Sequence, residues 1–331
     1  MRSEAKEATV YNEVEINYCI SISLSIICFL VWLYFDRDYS IFKFVSFVAV
    51  LFAFLGTISI VGCLFFESRL FFKAVPISDF LFGIKWNPDF DFKDSFFGVV
   101  PLLVGTFLIS FVALFIAIPI SLFSAIYLSE YSDKKNRSII NTALEILASI
   151  PTVVYGYFAV IFLSPGIRKL AEILGFNASS ENALVAGTVV GIMLLPSMTS
   201  LMEHALRSVS KILRYGSIAL GATCSETVWM IVIPSARAGI VNAILLSFSR
   251  AIGETMIVLM ASGIIANLTF NPLKSVTTIT VQIAILLTGD QNFDSVETSS
   301  AYALGLLLFC LTWSINACAL FFIRKKHHKN I

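Results

Sequence analysis

Long runs of apolar residues separated by short polar segments dominate the pattern along this chain. A helix that crosses the hydrocarbon core of a bilayer needs about 20 mostly apolar residues. The polar turn at 36–40 is the only separation between the first two runs, so we expect them to form a helical hairpin. The pattern predicts seven spans, at about Ile16–Phe35, Ile41–Phe66, Phe97–Leu128, Ala143–Ser164, Asn182–Met202, Ile240–Ile265 and Ala301–Ile323.

One further apolar segment, Leu273–Thr288, is short for a full span and is interrupted by threonines and by Gln282. A segment of that length is more typical of a helix that does not cross the bilayer. We therefore expect an interfacial or re-entrant helix there.

Composition favours an all-α, polytopic membrane protein. Hydrophobic residues make up 57% of the chain and charged residues 14%, whereas a soluble domain carries about 25% charged residues. The net charge of +1 gives no indication of a nucleic-acid partner. The six cysteines form no CxxC pair, so we predict neither a metal site nor a disulfide framework. The N-terminal segment lacks the basic start of a secretory signal, and we expect the first apolar run to be retained.

The distribution of Lys and Arg predicts the orientation, because short cytoplasmic loops are enriched in these residues. The tail at 324–329 is strongly basic, which predicts a cytoplasmic C-terminus. Counting back through the predicted spans places the loop Ser129–Thr142 and the segment Glu203–Gly239 inside, and both carry basic residues. The acidic N-terminal segment is then outside.

The sixth run contains two charged residues, Arg250 and Glu254, at a depth where charge is costly. Insertion scales put that cost at about 2.5–3.5 kcal/mol for each charge. In a continuous helix Arg250, Glu254 and Ser247 would share one face with the small residues Ala243 and Ala261. This face either lines a path for an ion or carries a static i,i+4 salt bridge between helices.

A second informative stretch, 214–234, lies in the segment predicted to be cytoplasmic. Gly221 follows one short helical pattern, and Pro234 precedes the next apolar run, so the two are expected to bracket a surface helix. Such a helix can dock in a groove on a soluble partner, or it can lie on the lipid surface.

This stretch resembles the loop signature of ABC importer permeases, which is EAA, three residues, G, nine residues and I-x-L-P. Gly221, Ile231, Ile233 and Pro234 stand at the matching spacing. The EAA triplet is replaced by Tyr215-Gly216-Ser217, so the acidic residue of the signature is missing.

Further motifs between about Phe80 and Gly263 resemble the PstC-type permeases of phosphate-specific ABC transporters. Met256 after Gly-Glu-Thr is more similar to PstC-type than to PstA-type chains. The resemblance implies a MetI-like permease core at 67–331, with a coupling segment at 203–239. The N-terminal segment and hairpin at 1–66 would include one helix beyond that core. The motifs are Trp86-Asn-Pro88, Gly98–Thr106, Ala125–Tyr131, Leu144–Gly156, Ala219–Thr223 and Arg250–Met256.

The resemblance implies a non-catalytic permease subunit in a prokaryotic inner membrane. Its partners would be a PstA-like permease subunit, two copies of a PstB-like cytoplasmic ATPase and an external PstS-like phosphate-binding protein. The chain contains no G-x-x-x-x-G-K-[ST] loop, so ATP would be used by the ATPase partner. We expect no cofactor or metal on this chain and no nucleic-acid partner.

The resemblance also implies roles for individual residues. Arg250 would contact phosphate through its planar fork of donors, Glu254 would be its counter-charge, and Ser247 would lie on the same path. The residues implied in coupling to the ATPase are Gly221, Ala222, Thr223, Ile231 and Pro234.

Two kinds of alternative remain open. Within the same class, the chain could be a PstA-type subunit or a permease for another oxyanion. In a different class, it could be an ion-coupled secondary transporter or a channel, which would have no need of a docking helix.

Overall fold

The computed structural model describes residues 40–88, 96–288 and 296–327, and every structural statement below concerns those residues. The predicted span Ile16–Phe35, and with it the hairpin, lies outside them. The boundary predicted near residue 66 stays a prediction, because one helix continues through it. By its internal contacts the described chain divides within that helix, into a first unit that ends at Cys63 and a second that begins at Leu64.

The described chain is almost entirely helical, with one short β-hairpin formed by β1 (Trp86–Asn87) and β2 (Phe96–Phe97). Three π-helical turns (Tyr127–Tyr131, Ala159–Leu163 and Val228–Val232) extend α3, join α5 to α6, and join α9 to α10. The helices are α1 (Ser40–Ala74), α2 (Ile77–Phe82), α3 (Val100–Ile126), α4 (Lys134–Ala148), α5 (Thr152–Phe158), α6 (Ser164–Ile173), α7 (Ala183–Arg207), α8 (Lys211–Ala219), α9 (Cys224–Thr227), α10 (Ile233–Ile252), α11 (Met256–Ala261), α12 (Ile279–Thr288) and α13 (Val296–His327).

Six helical segments in the described ranges are long and apolar enough to cross a membrane, which confirms the polytopic all-α prediction. The ten-residue α12 is shorter than a span, as expected for Leu273–Thr288. The six segments are Phe42–Ala74, Val100–Tyr131, Thr152–Ile173, Ala183–Arg207, Cys224–Ile252 and Val296–Ala317.

The predicted span Ala143–Ser164 begins too early. Its first residues belong to α4, an amphipathic helix with no buried residue, which ends at Ala148. Pro151 then precedes the first residue of α5, where its missing N–H and fixed φ favour a new helix start. The apolar segment that can span therefore runs from Thr152 to Ile173.

The predicted span Ile240–Ile265 is also wrong at both ends. The helix that contains it begins at Cys224 and ends at Ile252. A second, six-residue helix, α11, follows after a break at Gly253–Thr255. Apolar length alone cannot reveal this break, because the break depends on hydrogen bonds that the Glu254 side chain accepts.

Helix α7 forms the centre of the second unit and packs closely against α3. Its Gly187 and Gly191 face α3, as the GxxxG spacing predicts. A Cβ added at Gly191 would lie 2.8 Å from the carbonyl oxygen of Ala113, so only glycine permits this approach. The cluster of buried side chains around α7 includes Val189, Val190, Leu194 and Met198.

A second buried cluster joins the β-hairpin to α12 and α13. Phe71, Phe80 and Phe97 meet edge to face with ring centroids 5.3–5.4 Å apart. The indole N–H of Trp86 donates to the Gln282 side-chain oxygen at 3.1 Å, which connects the hairpin to α12.

Candidate functional site

The break between α10 and α11 is stabilised by the side chain of Glu254. Its Oε1 accepts hydrogen bonds from the backbone N–H of Thr255 at 3.1 Å and of Ile257 at 3.4 Å. The first N–H groups of a helix have no partner within the helix, and a carboxylate satisfies them well. Glu254 therefore begins α11, and Gly253 caps the end of α10.

Of the three residues predicted to share a face, Ser247 and Arg250 lie in α10, whereas Glu254 does not. Ser247 and Ala243 are buried, at 3% and 1% exposure, whereas Arg250 is exposed. Glu254 lies beyond the end of the helix, so the rotation of about 100° per residue along a helix does not give the direction of its side chain. Among the described residues no carboxylate lies within ion-pair distance of Arg250, so the static i,i+4 salt bridge is also absent there.

The exposure of Arg250 matters because of where the residue lies. Arg250 and Glu254 are the only charged residues between 238 and 273. A charged side chain at membrane depth faces protein or water, not hydrocarbon. The exposed side of α10 that carries Arg250 must therefore be covered by another protein surface or by an aqueous path.

Aromatic rings lie where another side of α10 meets α3. Phe248 is 6.3 Å from Phe107 and 5.8 Å from Phe111, centroid to centroid, and all three rings are tilted. Phe111 is 61% exposed. Phe248 is two residues from Arg250, about 200° around the helix, so this apolar surface is separate from the side that carries Arg250 and suits a contact with another membrane helix.

The other side of the break is held by a buried, polar, non-helical segment at 275–278. The hydroxyl of Thr280 donates to the backbone oxygen of Glu254 at 2.9 Å. The N–H of Ile279 donates to Thr106 Oγ1 on α3 at 3.2 Å. Non-helical backbone at membrane depth is tolerated where it is buried in protein, and Val276, Thr277 and Thr278 are at most 3% exposed.

Sequence reasoning did not identify Thr280 as a candidate site residue. Its signal was the group of threonines in an apolar segment, which we interpreted only as a reason against a span. The contact joins α12 to the break between α10 and α11, 26 residues earlier in the chain, so no local pattern indicates it.

The coupling residues lie at the opposite end of α10, where α3, α7 and α9 also terminate or begin. The prediction of a surface helix between Gly221 and Pro234 is wrong. The surface helix is α8, which ends at Ala219, before Gly221. Gly221 has a φ of +93°, a left-handed conformation that ends α8 and favours glycine. Ile231 and Pro234 belong to the helix that follows, Cys224–Ile252.

Thr223 begins that helix through a reciprocal capping box with Glu226. The Glu226 N–H donates to Thr223 Oγ1 at 3.3 Å, and the Thr223 N–H donates to Glu226 Oε2 at 2.7 Å. Two otherwise unpaired donors are satisfied in this way. Gly221, Ala222 and Thr223 therefore form the turn between the surface helix and the membrane helix.

Helix α8 has an exposed apolar face and a polar contact with the helix that follows it. Ile212 and Tyr215 are 81% and 67% exposed, and Leu220, which directly follows the helix, is 91% exposed. Ser217, which replaces the last residue of the EAA triplet, is buried, and its hydroxyl lies 3.0 Å from that of Thr227 on α9. The departure from the signature therefore adds a hydrogen bond between the surface helix and the next helix.

Ion pairs surround this end of the described bundle. Glu203 on α7 is 3% exposed; its Oε1 lies 2.7 Å from Arg137 Nε on α4, and Asn141 Nδ2 donates to its Oε2 at 3.3 Å. Arg214 on α8 pairs with Glu130 at 3.0 Å. Sequence reasoning had used Arg137 and Arg214 only as basic residues that indicate the orientation. Within the described ranges no group of three His, Cys, Asp or Glu side chains could hold a metal ion.

Comparisons with known proteins agree with this geometry. Residues 117–326 match the family described as binding-protein-dependent transport system inner membrane component. The chain is 32% identical to the probable ABC transporter permease protein YqgH of Bacillus subtilis, over 75% of this chain and 77% of that one. It is also 32% identical to the phosphate transport system permease protein PstC of Pasteurella multocida, over 79% and 84%.

Among solved structures, the chain is similar to one in the crystal structure of a bacterial alginate ABC transporter bound to its periplasmic protein. The TM-score is 0.53 at 16% identity, with 87% of this chain and 98% of that chain covered. At that identity the likeness concerns the fold alone, and it agrees with the ABC importer permease fold expected from the sequence.

Proposed function

We propose that this chain, which belongs to the family of binding-protein-dependent transport system inner membrane components, is the PstC-like permease subunit of an ATP-driven importer for inorganic phosphate. Members of this family are membrane permeases that work with an ATPase and a substrate-binding protein. The phosphate substrate and the identity of each partner belong to the proposal.

One observation carries the proposal: Arg250 is exposed beside a break in a membrane helix and has no carboxylate partner in the described chain. A guanidinium offers five N–H donors in a fork that matches phosphate oxygens and stays charged at every physiological pH. Relatives at about 30% identity that carry the name of phosphate permeases support this anion over others.

Glu254 has a role different from the one that the sequence suggested. Because its carboxylate caps α11, we infer that it fixes the geometry of the break and lowers the local positive potential without pairing with Arg250. A weakened positive potential keeps phosphate binding loose enough for release. Ser247 is buried, so it would stabilise the packing of α10 and would reach the path only after a rearrangement.

The exposed apolar face of α8 supports docking to an ATPase. Three large apolar side chains more than 60% exposed, two on α8 and one directly after it, need a covering surface. A groove on a PstB-like ATPase would cover it, and ATP would be bound and hydrolysed on that subunit. Gly221, Ala222, Thr223, Ile231 and Pro234 would connect the docked helix to α10.

The basic residues of α4 and α8 support an orientation in which this end, with the C-terminus, is cytoplasmic. The β-hairpin end would then face outward, where a PstS-like protein delivers phosphate. A PstA-like subunit would cover the exposed surface of α10 and complete the path.

Uptake of radiolabelled phosphate tests the proposal. Cells that lack this chain should regain ATP-dependent uptake when it is expressed with its partner subunits. Unlabelled phosphate should compete, whereas sulfate and molybdate at equal concentration should not. Competition by sulfate or molybdate would identify another oxyanion as the substrate, and uptake without an ATPase would contradict the family mechanism.

A further inference from the structure

We propose that Arg214 is the positioning residue that ties the surface helix α8 to the membrane helices α3 and α7, so that a movement of α8 moves both. This inference rests on the proposed function, because docking of an ATPase supplies the movement. It concerns two side chains, Arg214 and Glu130, to which neither the sequence nor the comparisons assign a role.

One guanidinium joins three separate elements. Arg214 Nη2 lies 3.0 Å from Glu130 Oε1 in the π-helical turn that ends α3. The same nitrogen donates to the backbone oxygen of Leu206 in the last turn of α7, at 2.7 Å. Glu130 is itself oriented by the hydroxyl of Ser129, which donates to Oε1 at 3.1 Å. A lysine keeps the charge, but its compact ammonium group ends a stem of different length and shape and does not occupy the position of Nη2.

The pair is shielded from solvent, unlike an ordinary surface ion pair. Arg214 and Glu130 are 16% and 11% exposed, whereas Arg168 and Glu172 on α6 are 54% and 62% exposed. Exposed pairs contribute almost nothing measurable. For a shielded pair, removal of one partner leaves the other charge without compensation, which is strongly unfavourable.

The Nε of Arg214 adds an energetic cost to this arrangement. It is buried and has no hydrogen-bond partner among the described residues. An unsatisfied buried donor lowers stability, so the contacts with Glu130 and Leu206 must offset that loss. These two contacts hold the side chain in one orientation, and α8 cannot tilt without breaking them or carrying α3 and α7 with it.

Helix α3 extends the connection toward the helix break. Near its other end Thr106 accepts from the N–H of Ile279, and a Cβ at Gly105 would overlap the carbonyl oxygen of Thr277. The next residue along, Thr280, donates to Glu254. Helix α3, with the π-helical turn that ends it, is therefore in contact with α8 at one end and with the support of the break at the other. Contact alone does not establish coupling, so the test measures coupling directly.

The test compares phosphate transported per ATP hydrolysed by the full complex in proteoliposomes, supplied with its binding protein and inorganic phosphate. The variants are Arg214→Gln, Glu130→Gln, the double variant, and Arg168→Gln as a matched control on an exposed pair. Each single variant is expected to assemble with the ATPase and to lower the ratio by about three- to thirty-fold. The control should equal wild type.

The double variant separates positioning from a general structural role. Because both residues act through the same contact, removing both breaks one link, so the double variant should couple no worse than the poorer single variant. Arg214→Lys, which keeps the charge, should fall between wild type and Arg214→Gln and also serves if the glutamine variant does not assemble. A wild-type ratio in Arg214→Gln and Arg214→Lys, or a double variant as poor as the sum of the singles, would overturn the inference. Failure of wild type to transport phosphate would instead contradict the proposed function.

Discussion

Replacement of Thr280 by valine should disturb the helix break while preserving the shape of the side chain. Valine is close to threonine in size, and Thr280 is 7% exposed, so packing changes little. What is lost is the hydroxyl, which donates to the Glu254 backbone oxygen at 2.9 Å and lies 3.0 Å from the hydroxyl of Thr278. Since the one proton of Thr280 goes to Glu254, Thr278 must donate to Thr280 and also loses its acceptor.

The expected magnitude follows from this geometry. A buried group left without its hydrogen bond costs about 1–3 kcal/mol. If the lost bond stabilises the transport-competent break, its population falls by about 5- to 150-fold. We therefore expect initial uptake of phosphate to fall within that range in Thr280→Val, with normal amounts of the complex in the membrane.

Two further variants make the result interpretable. Thr280→Ser keeps the hydroxyl and should restore most of the uptake. Thr288→Val is the matched control on the same helix, because Thr288 is exposed and bonds only within its own helix, to Ala284 at 2.7 Å. Wild-type uptake in Thr280→Val, or no rescue by serine, would refute the claim that this hydroxyl positions Glu254.

Two other predictions concern packing and orientation. Gly191→Val should lower the free energy of unfolding by about 1–3 kcal/mol, because the new Cβ would lie 2.8 Å from the Ala113 carbonyl oxygen. Gly166→Ala should not, because a Cβ there meets nothing within 4 Å. Thermal melting of the purified complex measures both, and equal melting temperatures would contradict the close approach. In intact cells, Lys85→Cys should react with an impermeant maleimide from outside, whereas Lys134→Cys should react only after the cells are permeabilised. The reverse pattern would overturn the orientation.

Within the described residues the positions of the membrane helices were largely predictable from apolar length, because a bilayer requires each long run to be a helix. The errors occurred where a local polar or conformational feature decides. Pro151 starts a helix inside the apolar run that began at Ala143. The Glu254 carboxylate starts α11 inside the run that was expected to be continuous. Neither residue ends the long apolar run around it, so apolar length alone does not indicate where the helix starts or breaks.

The candidate site was predictable only in part. Arg250 and Glu254 attract attention because two charges in an apolar run are costly, and this signal depends on sequence alone. Their arrangement was wrong, because the rule of 100° per residue assumes a helix that does not break between them. The roles of Thr280 and of the Arg214–Glu130 pair depend on contacts between distant parts of the chain. Such contacts are set by tertiary packing and have no local signature.

The central claim is that phosphate crosses beside the exposed guanidinium of Arg250. Uptake of radiolabelled phosphate by the assembled complex with Arg250→Ala tests it most directly. Two charge-assisted hydrogen bonds to a bound anion are worth about 1.5–3 kcal/mol each, so uptake should fall by about 100-fold or more. The partner subunits should still co-purify in normal amounts. Normal uptake by an assembled Arg250→Ala complex would contradict the account.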